Sequence, residues 1–479
     1  MKPFARLILA FAAACLSGRA FAQDAAPTDW PALTRTDLQA AAALIRDNHP
    51  AMVPEVGDAA FTARFAASLT KAEARLPQVR DADGMAATLR GFASGLGDDH
   101  IAWAPKSGLP VKSWPGFMVV KRGADLVVTV TEAGGPPEGA RLIACDLTPA
   151  ETLLRQRTAD RVPDPDIAAQ LTVNSIWVVL DDGNPFIARP RQCRFEVEGQ
   201  PLDVALNWRP VTAEDFPRIR AGRRLTGHAG YGVRAVGDAR WIAFESFDDS
   251  VAPVVEAVRA KQAELRAAPL VVIDLRGNGG GNSRFGDQVA EILLGETPVK
   301  AISSSGGGDC PTVWRASPDN RKSLTAYAAR MPDSADYWNA EGAEMDAALA
   351  AGRPLTASLD GCTVATGRVQ LPPPPHPLFP GKLVVVTDAA CFSSCTLVVD
   401  HLLRLGAIQV GAATNAPTRY MEVRSVDLPS GLGSFSTLQK AALSAPPLFG
   451  PFDPAVPFPG DITDTAALEA WVPGAVAGL

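Results

Sequence analysis

The chain has 479 residues, 47% hydrophobic and 20% charged, with 41 glycines and 41 prolines. This is globular composition with enough apolar surface to offset the entropy of ordering, and it is long enough for about three structural units. The formal charge of −7 becomes −10 once Lys2, Arg6 and Arg19 of the leader are removed, which argues against a nucleic-acid partner.

Residues 1–22 read as a signal peptide: Lys2 and Arg6, an apolar run from Leu7 to Leu16, and the small-x-small site Ala20-Phe21-Ala22. The mature chain is predicted to start at Gln23 and to be periplasmic or secreted. The apolar run is too short for a membrane span, and no later stretch of about 18 apolar residues follows. A lipidated Cys15 is the weaker alternative, because Ala12-Ala13-Ala14 lacks a large aliphatic residue. Six cysteines remain in an oxidising compartment, and six allow 15 connectivities. Neighbour order favours Cys145 with Cys193, Cys310 with Cys362, and Cys391 with Cys395. No CxxC or His-x-x-x-His spacing accompanies them, so no metal is expected.

In chain order, residues 23–105 read as an N-terminal helical domain. Thr36 and Gln39 form a capping-box pattern, while Phe61, Phe65 and Leu69, and then Met85, Leu89, Phe92 and Leu96, recur at helical spacing. The unit ends in Gly97-Asp98-Asp99-His100, a polar turn running into a short apolar strand. Residues 112–210 carry short β runs punctuated by Gly and Pro, and the stretch from Gly139 to Ile143 looks loosely like a PDZ-type module. From 212 to 472, buried strands alternate with helices, at Trp241 to Phe244, Leu270 to Asp274, Arg284 to Leu294 and Leu383 to Leu405, which predicts an α/β layer with parallel pairing. Residues 303–370 interrupt that layer with a helix or two, and the prolines 372–375 close the interruption as a stiff spacer.

Two segments of the α/β unit carry chemistry. The string Asp274-Leu275-Arg276-Gly277-Asn278-Gly279-Gly280-Gly281 follows a buried strand, and its glycines let backbone N–H groups face an anion. It lacks the lysine and spacing of a phosphate-binding loop, so no nucleotide or other cofactor is expected. An oxyanion loop for acyl transfer fits better. The second segment, Cys391-Phe392-Ser393-Ser394-Cys395, puts a serine at a strand-to-helix turn, where it serves either as a nucleophile or as a plain helix cap. The i, i+4 cysteines can clasp that turn.

These residues resemble the tail-specific, C-terminal-processing serine protease family, including its tricorn-core branch. The likeness extends over about residues 36 to 472 and is most specific in the DLRGNGGG string. Gly97 to His100, Trp241 to Phe247, Gly411 to Thr414 and Gly460 to Ile462 support it. It implies a crotonase-like α/β serine protease core, a polypeptide substrate and Ser393 as nucleophile. It further implies an oxyanion hole from the Ser394 amide and one of Gly279, Gly280 and Gly281. The commoner branch activates its serine with a lysine just beyond the Gly-x-x-Thr motif, but Asn415 to Arg424 contains none, and Lys382 and Lys440 fall elsewhere.

The tricorn-like branch uses a histidine from the upstream helical region, and His100 stands at the matching place. Of five histidines, His401 lies eight residues past Ser393 on one helix, roughly 12 Å along its axis and out of reach. His49, His228 and His376 have ordinary cap, strand or loop readings. His100 also has a plain alternative, pairing with Asp98 or Asp99 in its turn. The resemblance leaves the orienting acid open among Asp99, Glu422 and Asp453. The expected function is an exported serine peptidase. The alternatives are a non-catalytic peptide- or ligand-binding relative, motivated by the missing lysine, and a hydrolase of non-peptide esters.

Overall fold

A computed structural model describes residues 28–107, 111–224, 230–303, 308–367 and 377–479. The leader, His228, His376 and the prolines 372–375 lie outside them. Among the described residues, no helix is long and apolar enough to cross a membrane.

Three helices open the chain: α1 (Trp30–Asn48), α2 (Ala59–Arg75) and α3 (Ala82–Ser94). Each starts on an aspartate, Asp29, Asp58 and Asp81, whose carboxylate accepts a first-turn N–H. The expected Thr36 capping box does not form. Pro31 fits the first turn, where its missing N–H costs nothing, so the helix begins earlier and Thr36 bonds back to the Ala32 carbonyl. After the polar turn comes β1 (Trp103–Pro105).

The middle section pairs β2 (Phe117–Arg122), β3 (Asp125–Thr131), β4 (Arg141–Cys145), β5 (Gln192–Val197) and β6 (Gln200–Ala205) antiparallel and in that order. Cys145 and Cys193 face each other across β4 and β5 and form a disulfide.

The α/β section begins with β7 (Gly232–Val236), β8 (Ala239–Ala243), β9 (Leu270–Asp274) and α4 (Arg284–Leu294). The interruption supplies β10 (Thr312–Trp314), α5 (Pro318–Arg330) and α6 (Ala335–Ala350), with Cys310 bonded to Cys362. The layer resumes with β11 (Lys382–Thr387), α7 (Ser394–Arg404) and β12 (Ile408–Gly411). A hairpin, β13 (Tyr420–Asp427) and β14 (Gly433–Ala442), precedes β15 (Val456–Pro457) and α8 (Thr465–Ala475). The large sheet has the order β7-β8-β9-β11-β12-β15, parallel throughout except for the β7/β8 pair. Val271 and Ile273 pack with Val289, Val398 and Leu402 on one face, while Val272 packs with Leu468 and Val472 on the other. A strand buried on both faces needs the continuous apolar run that β9 and β11 carry.

A second sheet joins the two ends of the chain. β14 pairs with β13 on one edge and with β1 and β10 on the other. Its inner face shares one core with the opening helices: Leu38, Ile45 and Phe92 pack with Phe435 and Leu438, and the Phe92 and Phe435 rings stack at 5.6 Å. The turn that carries His100 is thereby fixed against residues more than three hundred positions later, beside the C-terminal ends of the parallel strands.

Candidate active site

Ser393 lies where β11 gives way to α7. Its backbone has φ +57° and ψ −127°, a conformation L-residues rarely adopt, which costs on the order of 1–3 kcal/mol and turns its side chain out of the helix. The plain cap reading does not hold, because the Ser393 side chain makes no capping bond. The turn is held from several sides. Cys391 and Cys395 form a disulfide around it, the Cys391 N–H bonds to the Asp388 carbonyl at 3.1 Å, and the Phe392 N–H bonds to the Asn278 carbonyl at 3.3 Å.

The Oγ of Ser393 is 3.0 Å from Nε2 of His100. The other ring nitrogen, Nδ1, is 2.8 Å from Oδ1 of Asp98, which also accepts the His100 backbone N–H at 2.8 Å. The second Asp98 oxygen accepts the Thr418 hydroxyl. Asp98 is buried, which alone would raise its pKa, but His100 and the Thr418 hydroxyl outweigh that and hold the carboxyl below the usual range. The Phe392 ring lies 4.5 Å from the imidazole and shields one side of it.

The three acids expected from the sequence are placed otherwise. Asp99 accepts from the Asn415 side chain at 2.9 Å, and burial pushes its carboxyl up to about 6. Glu422 sits at φ +61° within β13, between the paired residues Met421 and Val423. Burial raises its pKa, with Lys440 opposing. Asp453 is exposed near the end of the chain. The contact to Nδ1 belongs to Asp98, because a carboxylate two residues before the imidazole can take both the turn N–H and the ring N–H. The two nearest lysines are also engaged elsewhere: Lys382 with carbonyls at the end of α8, Lys440 with the Tyr337 hydroxyl and Glu341.

The glycine loop packs directly against the serine turn. Asn278 is buried, donating to the Phe244 carbonyl at 3.1 Å and accepting the Gly280 N–H at 2.9 Å. The Gly280 amide is therefore already engaged, which sets it apart from Gly279 and Gly281. Gly280 has φ +102°, and a Cβ placed there would stand 2.8 Å from the Ser393 Cβ. The Gly281 carbonyl accepts the Ser394 hydroxyl at 2.6 Å. The Ser394 N–H opens α7, so it has no acceptor within its own helix. Behind the loop, Asp274 and Arg276 form a fully buried ion pair at 2.7 Å that reaches the Ile462 carbonyl at 2.9 Å.

A cleft of about 960 Å³ opens over this site. His100, Ser393 and Gly281 line it on one side, Met421 and Glu422 of β13 on another, and Tyr327, Tyr337 and Trp338 of α5 and α6 roof it. The Tyr327 hydroxyl donates to the Val423 carbonyl at 3.1 Å, tying that roof to β13.

No family model matches the chain and no curated protein matches it. Solved structures do. The chain is similar to mature CPAF complexed with lactacystin, with TM-score 0.61 and 13% identity over 93% of this chain and 97% of that one. Against mature CPAF the TM-score is 0.60 at 14% identity, over 93% and 96% of the two chains. A lower TM-score of 0.35, at 13% identity over 92% and 97%, relates it to the photosystem II D1 C-terminal processing protease. At such identities the likeness is one of fold: over nearly its whole length, the chain has the mixed α/β fold of the CPAF structures.

Proposed function

We propose that the protein is an exported serine peptidase working through an acyl-enzyme on Ser393. The observation that carries this reading is the continuous line Ser393 Oγ, His100 Nε2, His100 Nδ1, Asp98 Oδ1, with contacts of 3.0 and 2.8 Å. Its neighbours by fold, serine peptidases, support it.

In the first step His100 Nε2 takes the Ser393 proton while Oγ attacks the substrate carbonyl carbon, and the carbonyl π electrons move onto oxygen. Asp98 holds the ring with Nδ1 protonated and stabilises the imidazolium. The oxyanion is received by the Ser394 N–H and by an amide of the glycine loop, Gly279 or Gly281. Collapse expels the amine, which takes the proton from His100. Water then enters and attacks the acyl carbon as His100 takes its proton; the second tetrahedral intermediate collapses, the bond from Ser393 Oγ to the acyl carbon breaks, Oγ takes the proton back from His100, and the acid product leaves.

The parallel sheet with the oxyanion loop after β9 and the serine after β11 fits a crotonase-like core, and the β2–β6 sheet is read as a PDZ-like unit. Three disulfides fit an oxidising compartment, periplasmic or secreted. A polypeptide is the substrate that the open, partly apolar cleft suits.

The test is a fluorophosphonate probe followed by peptide mapping of the wild type, Ser393→Ala and His100→Ala. A single adduct on Ser393 that is lost in both variants is expected. A folded wild type without an adduct transfers the weight to a peptide-binding protein.

A further inference from the structure

Asp388 is fully buried five residues before Ser393, and the proton path between Ser393, His100 and Asp98 does not use it. Its two carboxyl oxygens both accept the Gly277 N–H, at 3.2 and 3.0 Å, and Oδ1 also accepts the Ala390 N–H at 3.0 Å. Gly277 opens the glycine loop, and Ala390 belongs to the turn that delivers Ser393. The backbone bond from Phe392 to Asn278 joins the same two loops, but it carries no charge. Among the described residues, Asp388 is the ionisable side chain bonded to both.

We propose that Asp388 is a positioning residue whose carboxyl holds the oxyanion loop in register with the Ser393 turn. The proposal rests on the acyl-transfer reading above. Every hydrogen-bond partner of this carboxyl is an N–H donor. Oδ1 accepts from both loops and Oδ2 adds the shorter bond to Gly277, a pair of acceptor oxygens that an amide does not supply. Burial pushes the group up to about 7; the Gly277 and Ala390 N–H groups oppose the rise, Asp274 adds to it and Arg276 opposes it. The charged groups facing Asp388 are thus Asp274 at the end of β9 and Arg276 just beyond it.

The experiment compares wild type and Asp388→Asn in the full mature chain. It follows fluorophosphonate labelling of Ser393 against pH and probe concentration, with near-ultraviolet dichroism as a check of fold. An asparagine meets one N–H with its own NH₂ at every pH. Expected is a labelling rate constant lower by about tenfold to a hundredfold with little change in probe affinity.

A wild type that labels, beside a variant with the same rate and profile, overturns the proposal. A wild type that does not label overturns the acyl-transfer reading instead. If Asp388→Asn does not fold, the wild type decides by amide exchange. Protection of the 275–282 and 388–393 segments, corrected for intrinsic rates, is expected to change as one unit when conditions are varied, and independent opening of the two segments overturns the proposal.

Discussion

The hydroxyl of Ser436 donates to the carbonyl oxygen of His100 at 2.7 Å and accepts the N–H of Ala102 at 2.7 Å. One side chain on β14 thus fixes the backbone on either side of Ile101 and sets where the imidazole leaves the chain. Ser436→Ala leaves a carbonyl and an N–H without these partners at a buried joint, at a cost of about 1–3 kcal/mol in stability. The expected catalytic effect is a several-fold loss in kcat with little change in KM, because the imidazole shifts while the cleft does not. Denaturant unfolding and steady-state kinetics on one peptide substrate check both.

Asp98 and Asp99 are neighbours with opposite prospects. Asp98→Asn removes the carboxylate that keeps Nδ1 protonated, and kcat is expected to fall by roughly 10²–10⁴-fold, as when a triad acid is lost. Asp99→Asn keeps an acceptor for Asn415 and leaves His100 its partner, so its kcat should stay within about tenfold of wild type. Equal losses in the two variants would contradict the assignment of the orienting role to Asp98.

Gly280→Ala tests the contact between the glycine loop and the serine turn. The added methyl would approach the Ser393 Cβ at 2.8 Å and the Phe392 carbonyl at 2.9 Å, with the backbone at φ +102°. Backbone strain alone costs on the order of 1–3 kcal/mol. The expected result is a folded but less stable protein whose Ser393 no longer labels. Gly279→Ala meets nothing within 4 Å, so it should keep wild-type stability and separates the clash at Gly280 from a general cost of alanine in the loop.

Two buried carboxyls, Asp99 at about 6 and Asp388 at about 7, bind their protons more tightly folded than unfolded, where an aspartate titrates near ~4. Their contribution to stability is complete below about pH 4 and is lost as the pH rises through about 6 and 7. Asp98 acts oppositely: its folded pKa lies below the usual range, so its contribution is present above about pH 4 and is lost in stronger acid. The thermal midpoint is therefore expected to decline from pH 5 to pH 8. That decline should be shallower in Asp388→Asn, and a scanning calorimeter run at both pH values decides it.

Much of this arrangement was legible in the chain itself. The apolar run before Asp274, the glycines after it and the serine between Cys391 and Cys395 are local patterns, and each disulfide joins cysteines adjacent in the order of cysteines along the chain. His100 was picked out by its place in the family resemblance, with few histidines competing, and the structure brings its Nε2 within 3.0 Å of Ser393 Oγ. Asp98 was not separable from Asp99, since spacing alone cannot say which carboxylate a turn directs toward Nδ1. The deciding partner, Thr418, lies 320 positions away. The sheet linking Trp103 to Phe435 was missed for the same reason: β1 is three residues long, and its pairing exists only once the ends of the chain meet. Glu422 reads as an ordinary strand residue until its left-handed backbone conformation is seen.

The pairing of β1 with β14 also sets a timetable. His100 emerges early in synthesis, Ser393 some three hundred residues later, and the strand that clamps the His100 backbone later still. A ribosome-bound chain that stops short of Gly433 holds a nucleophile and a base with nothing to bring them into register. On the proposed reading, the site is therefore assembled only when the polypeptide is nearly complete and its first helices have closed over its last sheet.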